Sequence, residues 1–356
     1  MSQLKVNSIS DSAGANGNAI TLASDGTAIG NFSNYPRRNY IVNGGFEVHQ
    51  RGDTTHSYSW CGDRFQHRTG SSAVIAQSTT VPAGFAKSMS LTASSGTLSL
   101  AWNTVLEAGN SLTGTDISNV YSNNSKWTVS IWSTQAPKVR VDFTDSFGPG
   151  NPVAIVAYTN MTSTGETSNG FTRYKHTFDI ASNNPVGTSK GLHIGWQLVT
   201  AAADVKFTGA QLERGEICGP YEHLPYAQYL IDSQRYYYMH VTHTAADADD
   251  KHALGQGSYY TSTEIVSNVS FPTPMRVRPT LESTDSSTGG GAFVAYRDGT
   301  SDFFNLFYGN KMEITHGEIH NSEASQISGT AGHGCLLRLN QDAGDGTKLA
   351  FSAEFG

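Results

Sequence analysis

Charge is scarce in this chain. Only 15% of its 356 residues are Asp, Glu, Lys or Arg, and the formal net charge is −7. Basic residues nowhere gather beyond Arg37-Arg38. A phosphate-rich partner needs clustered Lys and Arg, so nucleic acid is not an expected ligand. Cysteine is scarcer still: Cys61, Cys218 and Cys335, with no C-x-x-C spacing. An odd count leaves one thiol over. Cys61 and Cys218 could meet, but in a protein assembled in a reducing cytoplasm buried thiols are the expectation. No run approaches the roughly 20 apolar residues of a membrane helix, so no membrane insertion is expected. The opening MSQLKVNSIS has no apolar core after its lysine, so no secretory leader is expected either. The chain shows no G-x-S-x-G elbow, no H-E-x-x-H, no phosphate-binding loop and no repeat of 20–50 residues. An enzyme is therefore not expected. Asp142 and Asp145, flanking Phe143, keep a glycan hydrolase open as an alternative.

What is abundant is glycine, 37 residues, set among Ser, Thr and Asn between short apolar runs. That is the composition of an all-β protein with many turns. Alternation is clear in several places. Trp127, Val129 and Ile131 share one face of a strand, as do Val139, Val141 and Phe143, and Tyr174, His176, Phe178 and Ile180. Strands are predicted over 73–78, 88–92, 97–102, 127–133, 138–144, 172–180, 192–198 and 205–213, which suits a jelly-roll of about eight strands. The segments 113–124, 145–151 and 160–170 read as loops. Gly219-Pro220 breaks the last strand, and Pro225 opens a helix over 228–238. Beyond it, more short strands predict a second, smaller β-sandwich. Residues 1–34 offer two short strands that cannot form a stable hairpin alone, so they need another copy or another protein. The expected division is 1–34, 35–227 and 228–356.

Three groups of residues carry a resemblance. Asn43-Gly-Gly-Phe-Glu47 runs into Gln50-Arg-Gly52, Asp63-Arg-Phe65 follows, and the closing run is Gly209-Ala-Gln-Leu-Glu213, then Pro220-Tyr-Glu222, Pro225-Tyr226 and Gln234-Arg-Tyr-Tyr237. In this order they resemble the carbohydrate-binding-module-like domain of many bacteriophage tail-fibre and virion structural proteins. The resemblance covers somewhat more than half the chain. It implies a jelly-roll sandwich and a virion role: a fibre or fibre-like head-decoration subunit, homotrimeric, held to other virion proteins through residues 1–34, and adhering to host-surface glycans. The particle would assemble in the host cytoplasm and expose the protein outside. A purely architectural adaptor or cement protein is the alternative. Similar sandwiches often hold a structural calcium through the opening Glu, which implies Glu47, with Asp204 and Glu213 as candidate partners. This closing strand lacks the paired aspartates of most such sites, and Glu47 paired with Arg51 or Arg64 is the other expectation.

Sugars stack apolar C–H faces on aromatic rings while amides and hydroxyls read their OH groups. Tyr58, Trp60, Trp102, Tyr121, Trp132 and Tyr158 lie in polar loops or alternate away from the apolar stripes, and are the candidate glycan contacts. Trp127 and Trp196 are expected in the core. In the C-terminal part, His316, Glu318 and His320 are expected on one face of a strand.

Overall fold

A computed structural model describes residues 8–10, 18–22, 28–30, 38–52, 54–56, 59–67, 73–93, 97–106, 125–144, 153–180, 191–201, 204–243, 252–285, 291–297, 299–340 and 343–354. The fold is all-β, a jelly-roll sandwich followed by a smaller sandwich, with one short helix between them. Strands β1 (Ser8–Ser10), β2 (Asn18–Leu22) and β3 (Ala28–Gly30) form a separate antiparallel sheet of three.

The first sandwich uses β4 (Thr54–His56), β5 (Ser59–Cys61), β6 (Phe65–His67), β7 (Ala73–Ser78), β8 (Ser88–Ala93), β9 (Thr97–Leu106), β10 (Ser125–Ser133), β11 (Lys138–Thr144), β12 (Val153–Asn160), β13 (Thr162–Ser168), β14 (Phe171–Ile180), β15 (Gly191–Ala201) and β16 (Asp204–Arg214). One sheet runs β13-β14-β10-β16-β8-β7-β4, the other β12-β11-β15-β9-β6-β5. Between them lies a core that includes Phe46, Phe65, Trp127, Val139, Val141, Ile194, Trp196 and Leu212. The predicted alternation holds in β10 and β11, and Trp127 and Trp196 are buried as expected.

Residues 162–168 correct the sequence reading. Expected as loop, they are β13, hairpinned to β14 through Asn169 (φ 50°) and Gly170 (φ 82°). Two left-handed residues in succession give the turn whose twist matches the strands, and Asn-Gly favours it.

The helix α1 (Tyr226–Gln234) starts directly after Pro225 and is shorter than predicted. Tyr237 and Tyr238 belong instead to β17 (Tyr237–Thr242), paired with Ser352 and Phe351 of β26 (Lys348–Ser352). The second sandwich adds β18 (Ala253–Thr261), β19 (Glu264–Ser270), β20 (Thr280–Thr284), β21 (Phe293–Arg297), β22 (Thr300–Phe304), β23 (Tyr308–Asn310), β24 (His316–Asn321) and β25 (Gly334–Leu339). A three-stranded sheet, β17-β26-β20, faces a seven-stranded one, β22-β21-β25-β18-β19-β24-β23. Phe293, Phe304, Phe307, Leu337 and Phe351 help fill the space between.

The two sandwiches meet through the opening motif. Gln50 Nε2 donates to Asp63 Oδ2 and to the Tyr237 carbonyl, both at 2.9 Å. Arg51 lies 3.6 Å over the Tyr237 ring, within 3.8 Å of Glu282 and 3.7 Å of Glu354. Arg64 lies 3.5 Å over the Tyr236 ring and forms an ion pair with Glu354 in which both side chains are buried. Arg64 takes a left-handed backbone, φ 83°, which costs a non-glycine residue about 1–3 kcal/mol. These arginines pair across the interface, not with Glu47.

Candidate functional site

On the six-stranded sheet, side chains alternate between core and outer face. Val139 and Val141 of β11 point inward, so Arg140 and Asp142 point outward. Leu192, Ile194 and Trp196 of β15 are core, so His193, Gly195 and Gln197 face out. Phe65 and His67 of β6 are fully buried, which turns Gln66 outward. Cross-strand partners share a face. The register Arg140↔Gly195, Gly195↔Asn103, Gln66↔Asn103 and Trp60↔Gln66 therefore draws one row across the sheet. At one end stands Trp60 on β5, half-buried, with the Arg51 guanidinium 5.8 Å from its ring. At the other end stands Tyr158 on β12, exposed, with the Arg140 guanidinium 5.7 Å from its ring. With neighbouring strands about 4.8 Å apart, the row is about 24 Å long. Gly195 places no side chain in its middle, and Gln66 contributes an amide.

Beside this row, Asp142↔His193 pair across β11 and β15. Arg140 Nε donates to Asp142 Oδ2 at 2.6 Å, and His193 Nδ1 lies 3.2 Å from Oδ1. Burial pushes the Asp142 carboxyl upward. The hydrogen bond and charge of His193 and the charge of Arg140 outweigh that and hold it below its ordinary value. Asp142 thus holds Arg140 at one carboxylate oxygen and faces His193 with the other. Asp145 lies outside the described residues.

Two of the aromatics singled out by sequence thus share one face, Trp60 and Tyr158. Tyr58 and Tyr121 lie outside the described residues. Trp102 stands in β9 opposite Trp196 and His67. Trp132 is a correction: it alternates away from the core as expected, yet it is buried on the outer face of the seven-stranded sheet, with the Phe85 ring 6.3 Å away. Arg140, His193 and Gln66 were not singled out by sequence. The alternation Val-Arg-Val-Asp over 139–142 already marked Arg140 and Asp142 as an outward pair.

The outer face of the first sandwich's seven-stranded sheet is covered by the chain's own connector after β16. Gln211 Oε1 accepts from Glu222 N at 2.8 Å and its Nε2 donates to the Pro220 carbonyl at 3.1 Å. Gly219 N donates to Glu213 Oε2 at 3.0 Å, and Arg38 Nε lies 3.1 Å from Glu213 Oε1. Phe85, Tyr221 and His223 close the face with ring centroids 4.8–5.1 Å apart. Gly44 touches the same strand, and a Cβ there would stand 2.0 Å from the Ala210 carbonyl oxygen. The closing motif is thus spent on seating the connector.

Glu47, Asp204 and Glu213 are not brought together. Asp204 and Glu213 stand nine positions apart in one strand, about 30 Å. Asp204 is held by Ser90, Thr92 and Lys206. Burial raises the Glu47 carboxyl, partly opposed by the charge of His223. Among the described residues, no group of three or more His, Cys, Asp or Glu side chains is placed to hold a metal ion. Cys218 and Cys335 are free thiols.

No protein-family model matches the chain, and no curated protein does. Among solved structures it is similar to the enzymatically active domain of tailspike protein 4 of bacteriophage CBA120, at 13% identity over 51% of this chain and 22% of that one, with a TM-score of 0.32. It is similar to the module TmCBM61 in complex with β-1,4-galactotriose, at 12% identity over 51% of this chain and 100% of that one, TM-score 0.28. It is also similar to the Stig cyclase Fisc of Fischerella sp. TAU, at 13% identity over 50% and 97%, TM-score 0.29. At such scores the likeness assigns no activity to this chain.

Proposed function

We propose that this protein is a virion structural subunit, a fibre or fibre-like decoration, that adheres to cell-surface glycans across the outer face of its six-stranded sheet. The observation that supports it is the single row from Trp60 to Tyr158, with a ring at each end and amide, guanidinium and bare backbone between. Such a row suits a chain of pyranose rings: apolar faces stack on the aromatics and hydroxyls meet polar groups. The virion role is supported by the ordered set of opening and closing motifs. Contacts of this kind are weak singly, and copies in a trimer would add by avidity. Stacking worth about 1 kcal/mol per ring predicts that Trp60→Ala and Tyr158→Ala each weaken glycan binding about fivefold. The melting temperature should change little, since neither ring is in the core. Surface plasmon resonance on immobilised oligosaccharides measures this, and a double variant that binds as the parent does would remove the site. Light scattering of the full chain should give three times the 38.2 kDa subunit mass; a monomer at micromolar concentration would reject the trimer.

A second reading, an architectural adaptor or cement protein, draws on a different observation. Gln50, Arg51, Arg64, Gln211 and Glu213 all hold the protein's own parts together. If no glycan binds the intact protein, this reading takes the place of adhesion.

A further inference from the structure

On the second sandwich, Gln256, Asn268, Tyr308 and Leu336 are exposed on the outer face of the seven-stranded sheet. Two adjoining grooves cross it. One, about 180 Å³, is lined by residues that include Gln256, Ser258, Asn268 and Glu318. The other, about 360 Å³, shares Gln256 and continues past Leu336 to Tyr296. Together they fall within the roughly 300–1,000 Å³ of small-ligand sites. The register explains the path: Asn268↔Glu318, Gln256↔Leu336 and Tyr296↔Leu336 run from strand to strand, perpendicular to the chain direction. Gly334, in the same outward series as Leu336, has no side chain to fill the dip. A Cβ there would meet nothing closer than 4.0 Å.

The chemistry of this face points to one class of ligand. Its floor offers amides and a hydroxyl. Glu318 is already matched, accepting from Asn310 at 2.8 Å and pairing with Lys311 at 3.3 Å, while Arg338 lies 5.4 Å over the Tyr296 ring. Tyr308 flanks the row next to His320, its ring 5.9 Å from the imidazole and its hydroxyl held by Glu323 at 2.9 Å. That ring is 41% exposed yet fixed, so a stacking ligand orders it at little cost. A hydroxyl-rich ligand fits such a face of amides, a hydroxyl and rings.

We propose that this groove is a second saccharide-binding site, separate from the six-stranded face, taking an oligosaccharide laid across the strands from Tyr308 toward Tyr296. The test uses the full chain on an array of immobilised neutral and N-acetylated oligosaccharides. With the first face disabled by Trp60→Ala and Tyr158→Ala, binding to at least one sugar should persist. Gly334→Phe, which fills the dip without meeting backbone, and Asn268→Ala, at an exposed position, should each lower that residual binding tenfold or more. Equal melting temperatures would show that the fold is intact. The inference is overturned if the first-face variant binds no sugar, if the parent binds none, or if Gly334→Phe and Asn268→Ala bind as before. Loss through Gly334→Phe with no loss through the first-face variant would leave this site standing and remove the other.

Discussion

Asp142 shows how one buried carboxylate can fix two neighbouring side chains, Arg140 and His193. Its ionised form is favoured in the folded chain, by His193 first and Arg140 next, against the cost of burial. Its stabilising contribution is therefore complete above the unfolded value, about pH 3.9, and is lost as pH falls through the lower folded value. Asp142→Asn should lower the melting temperature at pH 7 and flatten the fall in melting temperature below about pH 4. Calorimetric melts from pH 7 to pH 3 measure both, and an unchanged acid limb would show that Asp142 contributes nothing there. Gly44 works through what it lacks. Any Cβ collides with backbone at Ala210, a partner that cannot rotate away. Gly44→Ala should cost about 1–3 kcal/mol by overpacking, a fall of roughly 2–12 °C in melting temperature. A melt within a degree of the parent would mean that the loop and β16 can separate freely.

Among the elements, β16 is the keystone of the first sandwich. It lies between β10 and β8 and buries Val205, Phe207, Ala210 and Leu212. A chain ending at Ala203 should lose cooperative melting, whereas one ending at Tyr226 should keep it, at a lower temperature because Arg51 and Arg64 lose Glu282 and Glu354. Circular dichroism melts separate these outcomes, and a cooperative transition from the Ala203-terminated chain would contradict this role. Strands such as β7, β11 and β16 were legible in sequence because one face is core and the other is not. β13 was not. Its residues are polar and mostly exposed on both faces, so no apolar period of two could show, although the Asn169-Gly170 turn was there to find. Likewise Met312 and Ile314 alternate as a strand would, while the ladder to β19 begins at His316. The face-sharing of His316, Glu318 and His320 was readable from spacing, and their burial pattern agrees. The row from Trp60 to Tyr158 was only half readable. Composition marked the two rings, but only the register of six strands sets them in line. The motif residues were legible as a set, but their work was not, because contacts between Arg64 and a residue 290 positions away leave no trace in local pattern.

At the scale of the whole molecule, the two sandwiches share a charged, aromatic junction. Glu354→Ala would leave the Arg64 guanidinium buried without its acid, a loss of about 3–5 kcal/mol. The expected outcome is a calorimetric trace in which one transition divides into two, as each sandwich melts by itself; a single undivided transition at the parent temperature would reject the coupling. Glu354 also imposes an order in time. During synthesis the first sandwich emerges long before the residue that neutralises its Arg64, and contacts so distant along the chain close late. Until then the Arg64 guanidinium waits without its carboxylate. The junction can therefore close only after the chain has been read through to Glu354.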